Sequence, residues 1–140
     1  MRVIDASVAA KWVVAEVGSE AARRILEGPG PLIAPDVLVA EVGNVLGKKV
    51  TRKAMTRRHA KEAMVWLPEL FDRLFDSAAL APRALEIAME HGATVYDGLY
   101  LALLEAAGGE AALVTADPGL HALAGRAGIS RQRLVLLEGA

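Results

Sequence analysis

Five short apolar runs stand between longer segments of helical periodicity, and this alternation constrains the fold more than any other feature of the chain. Arg2 to Ile4, Leu32 to Ala34, Leu74 to Leu80, Ala112 to Thr115 and Leu134 to Leu137 read as strands. Between them Ala6 to Ala15, Ser19 to Leu26, a segment opening at Pro35-Asp36 and containing Glu41, and Thr56 to about Leu67 take helical spacing, with Thr56 as an N-cap. Pro82 to His91, Val95 to Ala107 and Pro118 to Arg126 follow as helices; the prolines suit first turns, and Gly92 and Gly108-Gly109 act as stops. Strands this short and apolar must be covered on both faces. The expected fold class is therefore α/β, a three-layer α/β/α sandwich around a central, mostly parallel sheet of about five short strands.

The 140 residues, 54% apolar and 24% charged, suit a single globular domain spanning 1–140. No apolar run approaches the ~18 residues that cross a bilayer. The opening Arg2-Val3-Ile4-Asp5 does not resemble a signal peptide, so a cytoplasmic protein without membrane contact is expected. The absence of cysteine removes disulfides, thiolate zinc sites and cysteine nucleophiles together, leaving oxygen or histidine for any metal. The formal net charge of −1 hides an asymmetry. Lys48, Lys49, Arg52, Lys53, Arg57, Arg58 and Lys61 hold seven of sixteen basic residues with no acid among them, and nine basic residues face all seventeen acids elsewhere.

Four carboxylates stand at informative places. Asp5 follows Val3-Ile4 and precedes a helix, where it can cap that helix or face a ligand. Glu41 lies on or beside the apolar stripe of Leu38, Val42 and Val45, and a lone carboxylate there needs a partner, a cation or a proton. Asn44, one turn along, can orient it or a bound water. Asp97 heads the stripe of Tyr100, Leu101 and Leu104, and favourable charge near a helix N-terminus is its alternative explanation. Asp117 ends Leu113-Val114-Thr115 and precedes Pro118, as a capping residue does.

In a parallel sheet, ligands collect beyond the strands' C-terminal ends, where Asp5 and Asp117 fall. If the two helix carboxylates converge there as well, a cation is required. Two unit charges ~4 Å apart at an effective dielectric near 20 repel by about 4 kcal/mol. An all-oxygen site favours Mg2+ or Mn2+.

The segments Val3-Ile4-Asp5-Ala6-Ser7, Val39-Ala40-Glu41-Val42-Gly43-Asn44-Val45-Leu46, Tyr96-Asp97-Gly98-Leu99-Tyr100-Leu101-Ala102 and Val114-Thr115-Ala116-Asp117 resemble the four acidic motifs of PIN-domain ribonucleases, above all the VapC-type toxins of toxin–antitoxin pairs. The resemblance spans nearly the whole chain in order. It implies a PIN-like fold, Asp5, Glu41, Asp97 and Asp117 as metal-binding and catalytic acids, and Ser7 and Thr115 in support. It also implies RNA as substrate, Mg2+ or Mn2+ as cofactor, in-line attack leaving a 5′-phosphate, a homodimer, and a small antitoxin as partner. Gly98 stands where the family often has alanine, and Gly119 where a further acid sometimes sits.

Other motifs carry less. Gly43-Asn44-Val45-Leu46-Gly47-Lys48-Lys49 is one residue short of a phosphate-binding loop and lacks its Ser or Thr. His59, His91 and His121 show no zinc spacing. Lys48, Lys49, Arg52, Lys53, Arg57 and Arg58 are expected to contact RNA phosphates, since a polyanion needs positive charge to approach a carboxylate pocket. The cluster Met64, Trp66, Leu67, Leu70, Phe71, Leu74 and Phe75 is expected to be core, with a dimer or antitoxin surface as the alternative. A housekeeping RNA-processing nuclease, or a non-catalytic RNA-binding module on the same fold, would share much of this pattern.

Overall fold

The computed structural model describes residues 1–137, so the last three positions of the expected 1–140 domain lie outside the described residues. In chain order the elements are β1 (Arg2–Ile4), α1 (Ala6–Val13), α2 (Ser19–Glu27), β2 (Leu32–Pro35), α3 (Val37–Thr51), α4 (Arg57–Trp66), β3 (Arg73–Phe75), α5 (Ser77–His91), α6 (Val95–Ala107), β4 (Ala112–Thr115), α7 (Pro118–Arg126) and β5 (Leu134–Leu136). Every strand pairing is parallel, and the sheet order is β3-β2-β1-β4-β5. Helices flank this sheet. The α/β class and the parallel sheet of five short strands are thus as expected, and the sheet is wholly parallel.

The burial pattern explains the shortness of the strands. Val3, Ile4, Ile33, Ala34, Leu113 and Val114 are all at most 2% exposed, so both faces of the central strands are covered. On α3, Leu38, Val42 and Leu46 are buried at i, i+4 and i+8. Helix α6 is buried along seven consecutive residues, Gly98 to Leu104, and rests on β1, β2 and β4. Leu67 and Phe71 are buried, and Met64, Trp66, Leu70, Leu74 and Phe75 pack partly buried against the core, in keeping with the core reading of that cluster. No helix among the described residues is long and apolar enough to cross a membrane.

One stretch departs from expectation. The third strand covers only Arg73–Phe75, and α5 starts at Ser77, well before Pro82. Asp76 caps this helix by accepting from the Ala78 amide at 3.0 Å. Ser77 and Asp36 also tie the starts of α3 and α5 together, Ser77 Oγ donating to Asp36 Oδ1 at 2.5 Å and accepting from the Val37 amide at 3.2 Å. Pro82 thus lies inside the helix, where it leaves one backbone hydrogen bond unmade, and not in its first turn. Helix α4 likewise stops at Trp66, one residue early, and continues as a 3-10 turn over Leu67–Leu70.

Candidate metal centre

The chain runs outward from β1 in both directions across the sheet, so the strand order reverses between β1 and β4. A crevice opens at such a switch point beyond the strands' C-terminal ends. Ile4 pairs with Val114, and the next residues along, Asp5 and Thr115, therefore stand side by side. Asp5 is only 7% exposed. It occupies the N-cap position of α1, yet its side chain makes no capping hydrogen bond. Instead Ser7 Oγ donates to Asp5 Oδ2 at 2.5 Å and Thr115 Oγ1 donates to the same oxygen at 2.7 Å. Ser7 Oγ accepts from the Ala116 amide at 2.9 Å, and Thr115 Oγ1 from the Asp117 amide at 3.0 Å. The two hydroxyls lock the ends of β1 and β4 to each other. Asp117 does cap α7, its Oδ1 accepting from the Gly119 amide at 2.8 Å. A Cβ at position 119 would lie 3.1 Å from that oxygen, so glycine suits the cap.

The two helix carboxylates come from α3 and α6. Glu41 is half-buried on α3, and the Tyr100 hydroxyl of α6 donates to its Oε1 at 2.8 Å. Tyr100 is 1% exposed. Its role beyond packing escapes a reading of the sequence, where it is one more member of the Asp97 stripe. The available signal was a polar tip at i+3 from an acid on a buried face. Asp97 sits in the first turn of α6, and Thr94 caps the helix by accepting from the Asp97 amide at 3.2 Å, which leaves Asp97 without a capping duty.

The four acids are electrostatically coupled. Burial raises the Asp5 carboxyl above its ordinary range; the Ser7 and Thr115 hydroxyls and the Ala6 amide oppose this, and the charge of Asp117 adds to it. Glu41 is raised by burial and by the charges of Asp5 and Asp97, against the Tyr100 hydrogen bond. Asp97 is raised by burial and then by Asp117 and Asp5. The Tyr100 phenol is pushed far up by burial and by its Asp5 and Glu41 neighbours, so it remains a donor. Among the described residues, none of the four acids forms an ion pair with a lysine or arginine. A hard divalent cation fits this all-oxygen, uncompensated donor set. As the side chains stand, no three of them among the described residues have the spacing of a closed ligand set. The fit lies in donor chemistry and missing counter-charge, not in a finished coordination sphere.

The basic run divides in space. Along α3, Glu41, Asn44 and Lys48 recur at i, i+3 and i+7, and Arg52 at i+11 follows the helix end, so one stripe leads from the acids over ~16 Å to positive charge. Asn44, Lys48 and Arg52 line a cleft of about 640 Å³. Lys53, Arg57 and Lys61 line a second cleft of about 940 Å³ between the end of α3 and the start of α4, together with Val50, Ala54, Met55 and Ala60. Lys49 turns away and pairs with Glu16 at 3.2 Å, a carboxylate also 3.4 Å from the buried Lys11. Arg58 pairs with Glu62 at 3.0 Å on an exposed face. His59 lies exposed on α4, His91 at the end of α5 and His121 on α7, with no shared site among them.

Comparison with known proteins gives a consistent picture. Residues 2–126 match the model of the PIN domain family. Ribonuclease VapC3 of Pyrobaculum aerophilum is 36% identical over 117 residues, covering 82% of this chain and 88% of that protein. Ribonuclease VapC1 of Mycobacterium tuberculosis is 35% identical over 94 residues, 66% of this chain and 67% of the relative. Among solved structures, PAE2754 of Pyrobaculum aerophilum superposes with a TM-score of 0.71 at 21% identity, over 96% of this chain and 83% of the other. Mycobacterium tuberculosis VapC20, a sarcin–ricin loop cleaving toxin, gives a TM-score of 0.71 at 18% identity, over 95% of this chain and 99% of the other.

Proposed function

We propose, because this chain belongs to the PIN-domain family, that it is a Mg2+- or Mn2+-dependent ribonuclease hydrolysing RNA phosphodiester bonds, and the toxin of a VapBC-type toxin–antitoxin pair. The observation that supports the reading is that Asp5 and Asp117 follow β1 and β4 at the switch point, while Asp5, Glu41 and Asp97 are each raised by burial and by neighbouring acids of this set, with no ion pair from any of the four to a basic side chain among the described residues.

Asp5, Glu41, Asp97 and Asp117 would hold the cation. Once bound there, it supplies water activation and neutralises charge on the phosphate and leaving oxygen. Ser7 and Thr115 fix the orientation of Asp5, and Tyr100 that of Glu41. Lys48 and Arg52 draw the RNA backbone along α3 toward the acids, with Lys53 and Arg57 extending the positive surface and Asn44 beside Glu41 on the approach. Lys49 and Arg58 already have acidic partners and contribute less. The names of the curated relatives support ribonuclease activity. As part of the same proposal the chain acts in the cytoplasm as a homodimer, held in check by a small antitoxin that covers the clefts and the acidic pocket.

RNA cleavage by the purified protein with Mg2+, with Mn2+ and with EDTA, beside a folded Asp97→Asn variant, tests this. Cleavage with either ion and none in EDTA or in the variant is expected. Metal-independent cleavage, or full activity of the variant, overturns it.

A further inference from the structure

The hydroxyl groups around the acids follow a pattern that bears on which cation the pocket accepts. Tyr100 reaches from α6 to α3 and engages one oxygen of Glu41, Oε1, at 2.8 Å. Ser7 and Thr115 both converge on one oxygen of Asp5, Oδ2, leaving Oδ1 without a side-chain donor among the described residues. Asp117 offers Oδ1 to the Gly119 amide. Three carboxylates from three parts of the chain are thus each held by a single oxygen. A carboxylate free at both oxygens can chelate an ion with the pair, the mode that serves Ca2+ with its roughly six to eight flexible oxygen ligands. One oxygen per carboxylate suits the near-ideal octahedron that Mg2+ demands, and Mn2+ accepts the same oxygen donors.

We propose that Tyr100 is a positioning residue that restricts Glu41 to single-oxygen ligation and, together with the Ser7–Thr115 pair on Asp5, makes the pocket select a small octahedral cation over Ca2+. The inference rests on the metal-dependent reading of the same pocket. Tyr100 is suited to the role because it is buried and its position is set by the surrounding helix, so its hydroxyl has little freedom to follow a rotating carboxylate. It touches no substrate and acts only through Glu41.

The test uses the full chain with Tyr100→Phe, which keeps the ring and removes the hydroxyl. Mn2+ binding is read from the electron paramagnetic resonance signal of the free ion, and Ca2+ binding from its power to displace Mn2+. Wild type is expected to bind Mn2+ well and to release it poorly to Ca2+. In Tyr100→Phe the preference for Mn2+ over Ca2+ should fall about tenfold, the scale at which residues supporting a ligand tune a metal site. The double variant Ser7→Ala/Thr115→Val, which removes both donors from Asp5 Oδ2, should reduce the preference in the same direction, and it carries the test if circular dichroism shows Tyr100→Phe unfolded. Folded variants that keep the wild-type ratio, or lose both ions equally, overturn the inference, because a packing role leaves the ratio unmoved. Failure of wild type to bind Mn2+ at all instead overturns the metal-dependent reading beneath it.

Discussion

Gly98 links the fold to the site and gives a prediction of definite sign. It lies on α6 between Asp97 and the buried stripe, where α6 packs on α5. A Cβ there would sit far inside contact distance of the Ala84 carbonyl oxygen, 3.0 Å from its carbonyl carbon and 3.1 Å from its Cα. These are backbone atoms of a helix that is also clamped to α6 by Arg83, whose Nε and Nη2 donate to the two oxygens of Glu105 at 2.9 and 3.0 Å. They cannot rotate away. Overpacking costs about 1–3 kcal/mol, here toward the upper end, while alanine regains ~1 kcal/mol of helix propensity over glycine. Gly98→Ala should therefore lose about 1–2 kcal/mol. With an unfolding entropy of roughly 2.1 cal/mol/K per residue, that lowers Tm by about 3–7 °C. Gly47 on α3 is the control, since a Cβ there meets nothing within 4 Å. Gly47→Ala should gain up to ~1 kcal/mol and raise Tm by about 3 °C. Calorimetry of both variants in EDTA reads the two signs. A Gly98→Ala Tm at or above wild type, or a lower Tm for Gly47→Ala, would refute the packing argument.

Further predictions follow from charge and backbone geometry. The carboxyls of Asp5, Glu41 and Asp97 are raised in the folded chain, so the native state holds protons that the unfolded state has released, and stability falls as pH rises from the ordinary carboxylate range through the raised values. In EDTA, Asp97→Asn should be more stable than wild type at about pH 8, with the gap closing toward about pH 4. Urea titrations at each pH check this, and a gap independent of pH contradicts it. Replacing Lys48 and Arg52 by alanine should weaken RNA binding and flatten its log–log salt slope by about 0.7 per lost phosphate contact; Lys49→Ala, already paired with Glu16, should change it less. Equal slopes in all three proteins would remove the α3 stripe from the RNA path. Lys53 holds a left-handed φ of 59° at the end of α3. Lys53→Gly should relieve ~1 kcal/mol of strain and raise Tm while lowering RNA affinity; a lower Tm refutes the strain.

Much of the fold was legible because its signals are local. Helix α6, β4 and α7 begin and end where the sequence predicts, at Gly108 and at Asp117-Pro118, since stops and caps act within a turn of themselves. The β3–α5 region was misread for the converse reason. Its cap, Asp76 on the Ala78 amide, is local but is braced by the Ser77–Asp36 bond from about forty residues away, and Pro82 marks the helix interior, not its start. The acids were visible as carboxylates on apolar surfaces, but the capping explanation separates only in three dimensions: Asp117 caps its helix and Asp5 does not. The same holds for the basic run. Nothing in the spacing distinguishes Lys48, facing a cleft, from Lys49, tied to Glu16. Tyr100 reads as core from its stripe, and only the approach of α6 to α3 shows its hydroxyl on Glu41.

The four acids, without a basic partner among the described residues, are proposed to form a cation site. Isothermal titration of Mn2+ into the metal-free protein measures it directly, with Asp97→Asn as comparison and Mg2+ as competitor. Saturable binding by wild type, displaced by Mg2+ and weakened about tenfold or more in the folded variant, is the predicted result. No binding by wild type, or equal binding by the variant, would contradict it.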